Sequence, residues 1–267
     1  MKKNLLITMG CSLTEGVGCF DEELIKNTKL TRESSSEYPN SNEYIEIQKK
    51  SLNLFHEHGW PNQVGRALGY DKVINIGKGG SSTSGQLKSF IEIFYGNTLP
   101  HYNVTIIWKL TDPSRFSFYS HGRIVNLMLN YDNSGISKEY LNFINDIELD
   151  TTLEQVFYIK LMEEFCKSRG YNLVLSHISE HSYEYLIETY KSKHYIADSL
   201  KKILPDFNNE IFLSPICYHP SKLGYVEIAK NMVREIKINH PHVVVGNPKE
   251  TIDWKWCGNR SEMGNLI

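Results

Sequence analysis

The stretch Leu5-Leu6-Ile7-Thr8-Met9-Gly10-Cys11-Ser12-Leu13-Thr14 joins an apolar run to a glycine and a serine. Residues 4–9 are apolar on both faces, as a central parallel strand covered on both sides requires. Gly10 allows a sharp turn. Ser12 then sits at the carboxyl end of the strand, the edge where open α/β sheets bind ligands. A serine so presented is a candidate nucleophile, or a cap for the helix that follows.

Downstream, strand and helix patterns alternate. Trp60-Pro61 opens a short helix with proline in its first turn, Val64 and Leu68 share a face, and Gly69 stops it. A second strand over 71–76 runs into Gly77-Lys78-Gly79-Gly80-Ser81-Ser82-Thr83-Ser84, which lacks the spacing of a phosphate loop. Its backbone N–H groups lead into a helix N-terminus and suit a developing oxyanion. That helix carries Leu87, Phe90, Ile91 and Phe94 on one face. A third strand covers 103–110. A helix from Thr151 carries the stripe Leu153, Phe157, Leu161 and Phe165, which is expected in the core. A fourth strand covers 171–176, a helix is expected over 183–203, and a fifth short strand over 209–214. The last helix spans about 221–237, with Ala229, Met232, Val233 and Ile236 on its inner face. His219 stands on the loop before that helix, where a side chain can reach back over the sheet edge, and is a candidate base. Of the other histidines, His56 and His58 read as solvated, and His177 and His181 as structural.

Repeated β–α order implies a single α/β domain of three layers around a mostly parallel five-stranded sheet. The domain is expected to span 1–239, with insertions near 20–58 and 113–149 and a C-terminal tail over 240–267. Of the 267 residues 40% are hydrophobic, enough for a sizeable core. A formal net charge of −2 gives no pull towards nucleic acid or anionic membranes, so neither is expected as a partner. Cysteines 11, 19, 166, 217 and 257 form no C-x-x-C pair, which argues against zinc and against a disulfide framework. They suggest a reducing compartment. Leu5 to Met9 is too short for the apolar core of a signal peptide, and no apolar run approaches the ~20 residues of a membrane span. A cytoplasmic location is therefore expected. The oligomeric state is not legible.

Three blocks carry a family resemblance. Gly10-Cys11-Ser12-Leu13-Thr14 resembles the G-D-S-L-T block of the SGNH (GDSL-type) hydrolases. Asn75 to Gly80 resembles their N-x-G-x-x-G block. His219-Pro220, with Gly224-Tyr225 and Ile228-Ala229 beyond, resembles their final block, in which His-Pro precedes the last helix. The blocks fall in the family's order and together span nearly the whole chain. The resemblance implies a flavodoxin-like sheet and a serine hydrolase acting on esters. Ser12 would be the nucleophile and His219 the base, and the N–H groups of Ser12 and Gly80 would hold the oxyanion. No metal or organic cofactor is implied. By fold-level analogy the substrate would be a short acyl ester on carbohydrate, and the insertions would suit a bacterial or phage protein.

Two positions depart from the family pattern. Lys109-Leu110-Thr111-Asp112 aligns with its G-x-N-D block, so Thr111 stands where an oxyanion-hole asparagine would be, and its shorter-reaching hydroxyl would be the third oxyanion donor beside the N–H groups of Ser12 and Gly80. Loss of such a donor costs a factor of about a hundred or more. Ile216 stands three residues before the histidine, where the family has its acid. Either Ser12 and His219 act as a dyad, with a backbone carbonyl holding the ring, or an acid comes from elsewhere. Asp112 is a candidate for that acid, and is otherwise a cap before Pro113. Cys11 beside Ser12 is an alternative nucleophile. Arg115 is expected in a salt bridge, with the gripping of an anionic substrate as the alternative role. A degenerate binding protein and an acyltransferase to a sugar are the alternative functions.

Overall fold

Leu5 through Met9 are wholly enclosed, and the strand they belong to is the middle of a five-stranded parallel sheet. The computed structural model describes residues 2–37, 41–94, 99–111, 115–120, 123–128, 151–177, 192–196 and 212–257. Strand β1 (Lys3–Met9) leads into the single turn α1 (Ser12–Glu15), followed by α2 (Glu22–Lys26), α3 (Arg32–Glu37), α4 (Asn42–His58) and α5 (Trp60–Leu68). Then come β2 (Lys72–Asn75), α6 (Thr83–Phe94) and β3 (Tyr102–Leu110). An antiparallel hairpin of β4 (Arg115–Ser120) and β5 (Arg123–Met128) precedes α7 (Thr151–Arg169), β6 (Asn172–His177), α8 (Lys222–Asn239) and β7 (Asp253–Trp256).

The sheet order is β6-β3-β1-β2-β7. In register, Leu6 lies opposite Val73 of β2 and Thr105 of β3. Alternate residues of β1 enter different cores, as the two-residue period of a strand requires. Leu5, Ile7 and Met9 pack with Phe90 of α6 and Ile159 and Met162 of α7. Leu6 packs with Val64 and Leu68 of α5 and Ile228, Met232 and Ile236 of α8. The fold is thus a three-layer α/β sandwich. The chain leaves β1 for β2 on one side and returns to β3 on the other. Such a reversal opens a crevice at the carboxyl ends of the strands, and Ser12 follows β1 directly at that point.

Three expectations require correction. The fifth strand of the sheet is β7, drawn from the segment read as a tail, where Trp254 pairs with Val73. Of 209–214 only residues 212–214 are described, and Leu213 makes an isolated bridge to Pro220. Most of the stripe on α7 is not core: Leu153, Phe157 and Leu161 are 62%, 58% and 46% exposed and only Phe165 packs against the core, beside Phe90, while Gln155, Ile159, Met162 and Cys166 are buried. Both sets have helical spacing, and the polar Gln155 and small Cys166 disguised the inner one. Finally, the segment near 113–149, expected only as an insertion with no strand assigned to it, contains the β4–β5 hairpin. The helix expected over 183–203 lies largely outside the described residues.

Candidate active site

Ser12 is the first residue of α1, with Cys11 before it in extended backbone at φ −94° and ψ −154°. A first-turn N–H has no acceptor within its own helix. Gly10 makes this turn possible by its size: a Cβ there would lie 2.0 Å from Thr14 Oγ1 and 3.0 Å from the Lys109 carbonyl oxygen. Cys11 is 1% exposed, with Sγ 3.9 Å from Ser12 Oγ, and is enclosed behind the serine.

The loop before α8 is a small clasp. Ser214 N–H donates to the His219 carbonyl at 2.9 Å and Ser221 N–H to the Phe212 carbonyl at 2.8 Å. Arg32 Nε donates to the Ser214 carbonyl at 2.7 Å, so the first insertion braces the loop. Ser221 Oγ caps α8 by accepting from Gly224 N–H. From the other side Gly18, at φ +115°, passes so close that a Cβ would meet the Pro220 carbonyl oxygen at 2.2 Å and His219 Cβ at 3.1 Å. Tyr225 Oη donates to the Val17 carbonyl at 2.8 Å and ties α8 to the same stretch. These constraints bring His219 Nε2 within 2.9 Å of Ser12 Oγ.

Burial, and secondarily the positive charge of Arg115, push the His219 imidazole from 6.5 down to about 4. It is therefore a neutral acceptor at neutral pH. If Nε2 accepts from the serine hydroxyl, the ring proton is on Nδ1. Nδ1 is buried and has no hydrogen-bond partner among the described residues. Ile216 is buried in the core beneath α8, so it offers the imidazole no acid. Asp112 lies outside the described residues.

The glycine-rich loop after β2 is pinned to α1. Asn75 Oδ1 accepts from Gly77 N–H at 2.9 Å and from Thr8 Oγ1 at 3.2 Å, while its Nδ2 donates to the Thr14 carbonyl at 2.8 Å. Lys78 N–H and Ser81 Oγ both donate to the Gly10 carbonyl, at 3.1 and 3.0 Å. Glu15 accepts from Gly79 N–H at 2.6 Å. Burial raises its carboxyl, partly offset by that hydrogen bond and by Lys78. With Gly79 so engaged, the next N–H along, that of Gly80, has no acceptor among the described residues.

Ser12, Gly80, His219 and Arg115 line one cavity of about 650 Å³. Tyr44, Ile45, Gln48, Lys49, Leu52 and Phe55 of α4 form its far wall, so the segment read as an insertion beside the site builds the site. Thr111 is not brought into this wall. It is fully buried, its carbonyl accepts from Gln155 Nε2 at 2.9 Å, and its hydroxyl has no partner among the described residues. The salt bridge expected for Arg115 is not formed by its Nε or Nη1, which have no hydrogen-bond partner among the described residues. Two supporting residues were missed from sequence, Glu15 and Gln86. Glu15 carried a usable signal, since it lies one helical turn after Ser12 and shares its face. Gln86, whose Nε2 donates to Ser81 Oγ of the glycine-rich loop at 3.3 Å while its Oε1 accepts from Trp108 Nε1 at 2.7 Å, carried none.

Compared with protein-family models and with curated proteins, the chain matches none. Among the described residues, no cluster of three or more His, Cys, Asp or Glu could hold a metal ion, and no helix is long and apolar enough to cross a membrane.

Proposed function

We propose that the protein is a serine hydrolase of SGNH type that cleaves a short acyl ester through a Ser12–His219 dyad. The observation that carries this reading is the 2.9 Å contact between Ser12 Oγ and His219 Nε2, made across the sheet edge inside a cavity. His219 takes the serine proton as Oγ attacks the ester carbonyl. The N–H groups of Ser12 and Gly80 receive the oxyanion. The bond to the alcohol oxygen then breaks, the imidazolium returns its proton to the leaving alcohol, and an acyl group stays on Oγ. Water, deprotonated by the same imidazole, releases the acid. Thr111, behind the cavity wall, is given no part in this sequence. The mixed wall of Tyr44, Gln48 and Lys49 suits a small polar alcohol such as a sugar.

Hydrolysis of 4-nitrophenyl acetate tests the reading. Ser12→Ala should lower kcat/KM by about a thousandfold or more, and His219→Ala by about a hundred- to ten-thousandfold. A wild-type rate equal to that of Ser12→Ala would sink it. That outcome would favour the second reading, a binding protein on a hydrolase frame, which draws on the Nδ1 atom that has no acid among the described residues.

A further inference from the structure

Arg115 is the first residue of β4, and its side chain enters the wall of the cavity that holds Ser12 and His219. Its Nε and Nη1 atoms are shut off from solvent and have no hydrogen-bond partner among the described residues. A guanidinium stays protonated at any ordinary pH and carries five N–H donors. Withdrawn from water, such donors lose their hydration and need a replacement. The neighbouring charges are otherwise occupied. Glu15 is held on the Gly79 N–H at 2.6 Å. Lys49 leans out to Glu46, 3.0 Å away. Arg115 thus brings a positive charge to the cavity and forms no ion pair with Glu15, the acid that also lines it, or with any other described residue.

That charge opposes the chemistry. To take the serine proton, His219 must become an imidazolium, and Arg115 acts on it in the unfavourable sense, helping to push the ring down. An anion seated on Arg115 would cancel this opposition. It would supply from the substrate side part of the charge compensation that a triad's carboxylate gives the imidazolium, without holding Nδ1.

We propose that Arg115 binds an anionic group of the substrate, so that the preferred ester carries a carboxylate or phosphate group that lies in the same cavity as the scissile bond. A planar guanidinium matches either group with paired N–H donors. The ester half of this statement rests on the hydrolase reading above. The anion half stands on Arg115 alone and is tested without turnover.

The test is binding to Ser12→Ala protein by calorimetry. The probes are 4-acetoxybenzoate, 4-acetoxyphenyl phosphate and the neutral methyl 4-acetoxybenzoate. At least one anion should bind about tenfold or more tightly than the neutral ester, and the better anion tells carboxylate from phosphate. Adding Arg115→Gln should remove the difference, and Arg115→Lys should restore part of it. Equal affinities of all three probes, no binding by any of them, or a preference that survives Arg115→Gln would overturn the proposal. In the Ser12→Ala protein, which cannot turn the probe over, the anion should also raise the pH at which His219 titrates, followed by NMR of its ring protons. An unmoved titration would overturn the assistance to His219. Absence of hydrolysis would instead count against the hydrolase reading and leave the binding result to stand.

Discussion

Ser12 Oγ and His219 Nε2 lie 2.9 Å apart although 207 positions separate the two residues. The contact joins the end of the first strand to the start of the last long helix. Gly18 against Pro220 and Tyr225 against Val17 hold the two ends together. Neither residue is held by its own local structure alone, so the pair is sensitive to changes at that seam.

Gly18→Ala tests the seam. The added methyl would sit 2.2 Å from a backbone carbonyl in a φ region that L residues rarely occupy. Either Pro220 or the Gly18 backbone must move, and the Ser12–His219 distance opens. A loss of about 2 kcal/mol in stability is expected, with a fall in kcat/KM beyond what the folded fraction accounts for. Denaturant melts and kinetics on the same samples separate the two effects.

Acid dependence follows from His219. In the proposed mechanism its neutral form is the base, and burial holds its imidazole at about 4. The rate kcat/KM should therefore fall with an acid limb near pH 4 and be level from about pH 5.5 upward. Arg115→Gln removes a cation that holds the ring down, so the limb should move to higher pH. A limb near pH 6.5 in the wild type would contradict the burial of the base.

Stability should also depend on pH, through His56. It is buried, stacks on Trp256 with ring planes 8° apart, and is pushed by burial from 6.5 to about 4. Between those values the unfolded chain binds more protons than the folded one. Folding stability therefore rises with pH across the window and is lost as pH falls through it. His219, lowered in the same sense, adds to the slope. His56→Phe keeps an aromatic ring against Trp256 and cannot titrate, so the Tm should vary less between pH 6.5 and pH 4. An unchanged slope would show that His56 is not held neutral.

Asn75 is the staple between the two loops of the site. Asn75→Ala removes its hydrogen bonds to Thr14, Gly77 and Thr8, two of which bind backbone groups. A loss of about 2–3 kcal/mol is expected in urea unfolding. A loss below about 0.5 kcal/mol would mean that the loops hold each other without it.

The parts legible in sequence were those encoded locally. An apolar run ending in Gly10 marks β1 and the turn to Ser12, and His219-Pro220 before an amphipathic helix marks the other end of the pair. What escaped depends on distant partners. β7 is only Asp253–Trp256, and its strand character comes from pairing with β2, some 180 positions earlier. α7 carries two helically spaced sets, and only its packing against α6 and β6 decides which one is inside. Glu15 takes its place from Gly79, whose N–H it accepts, whereas Arg115 was legible as a residue with two candidate roles, and what separates them is its surroundings, where Nε and Nη1 find no acceptor among the described residues. Thr111 shows the reverse. Its place in a motif suggested an oxyanion donor, but its side chain is enclosed outside the cavity wall.

The most direct measurement is covalent. A fluorophosphonate probe reacts with a serine hydroxyl only when a neighbouring base activates it. Peptide mass spectrometry after labelling should find one adduct, on Ser12, and His219→Ala should abolish it. No adduct, labelling of Cys11 instead, or labelling of Ser12 that persists in His219→Ala would contradict a Ser12–His219 nucleophilic pair.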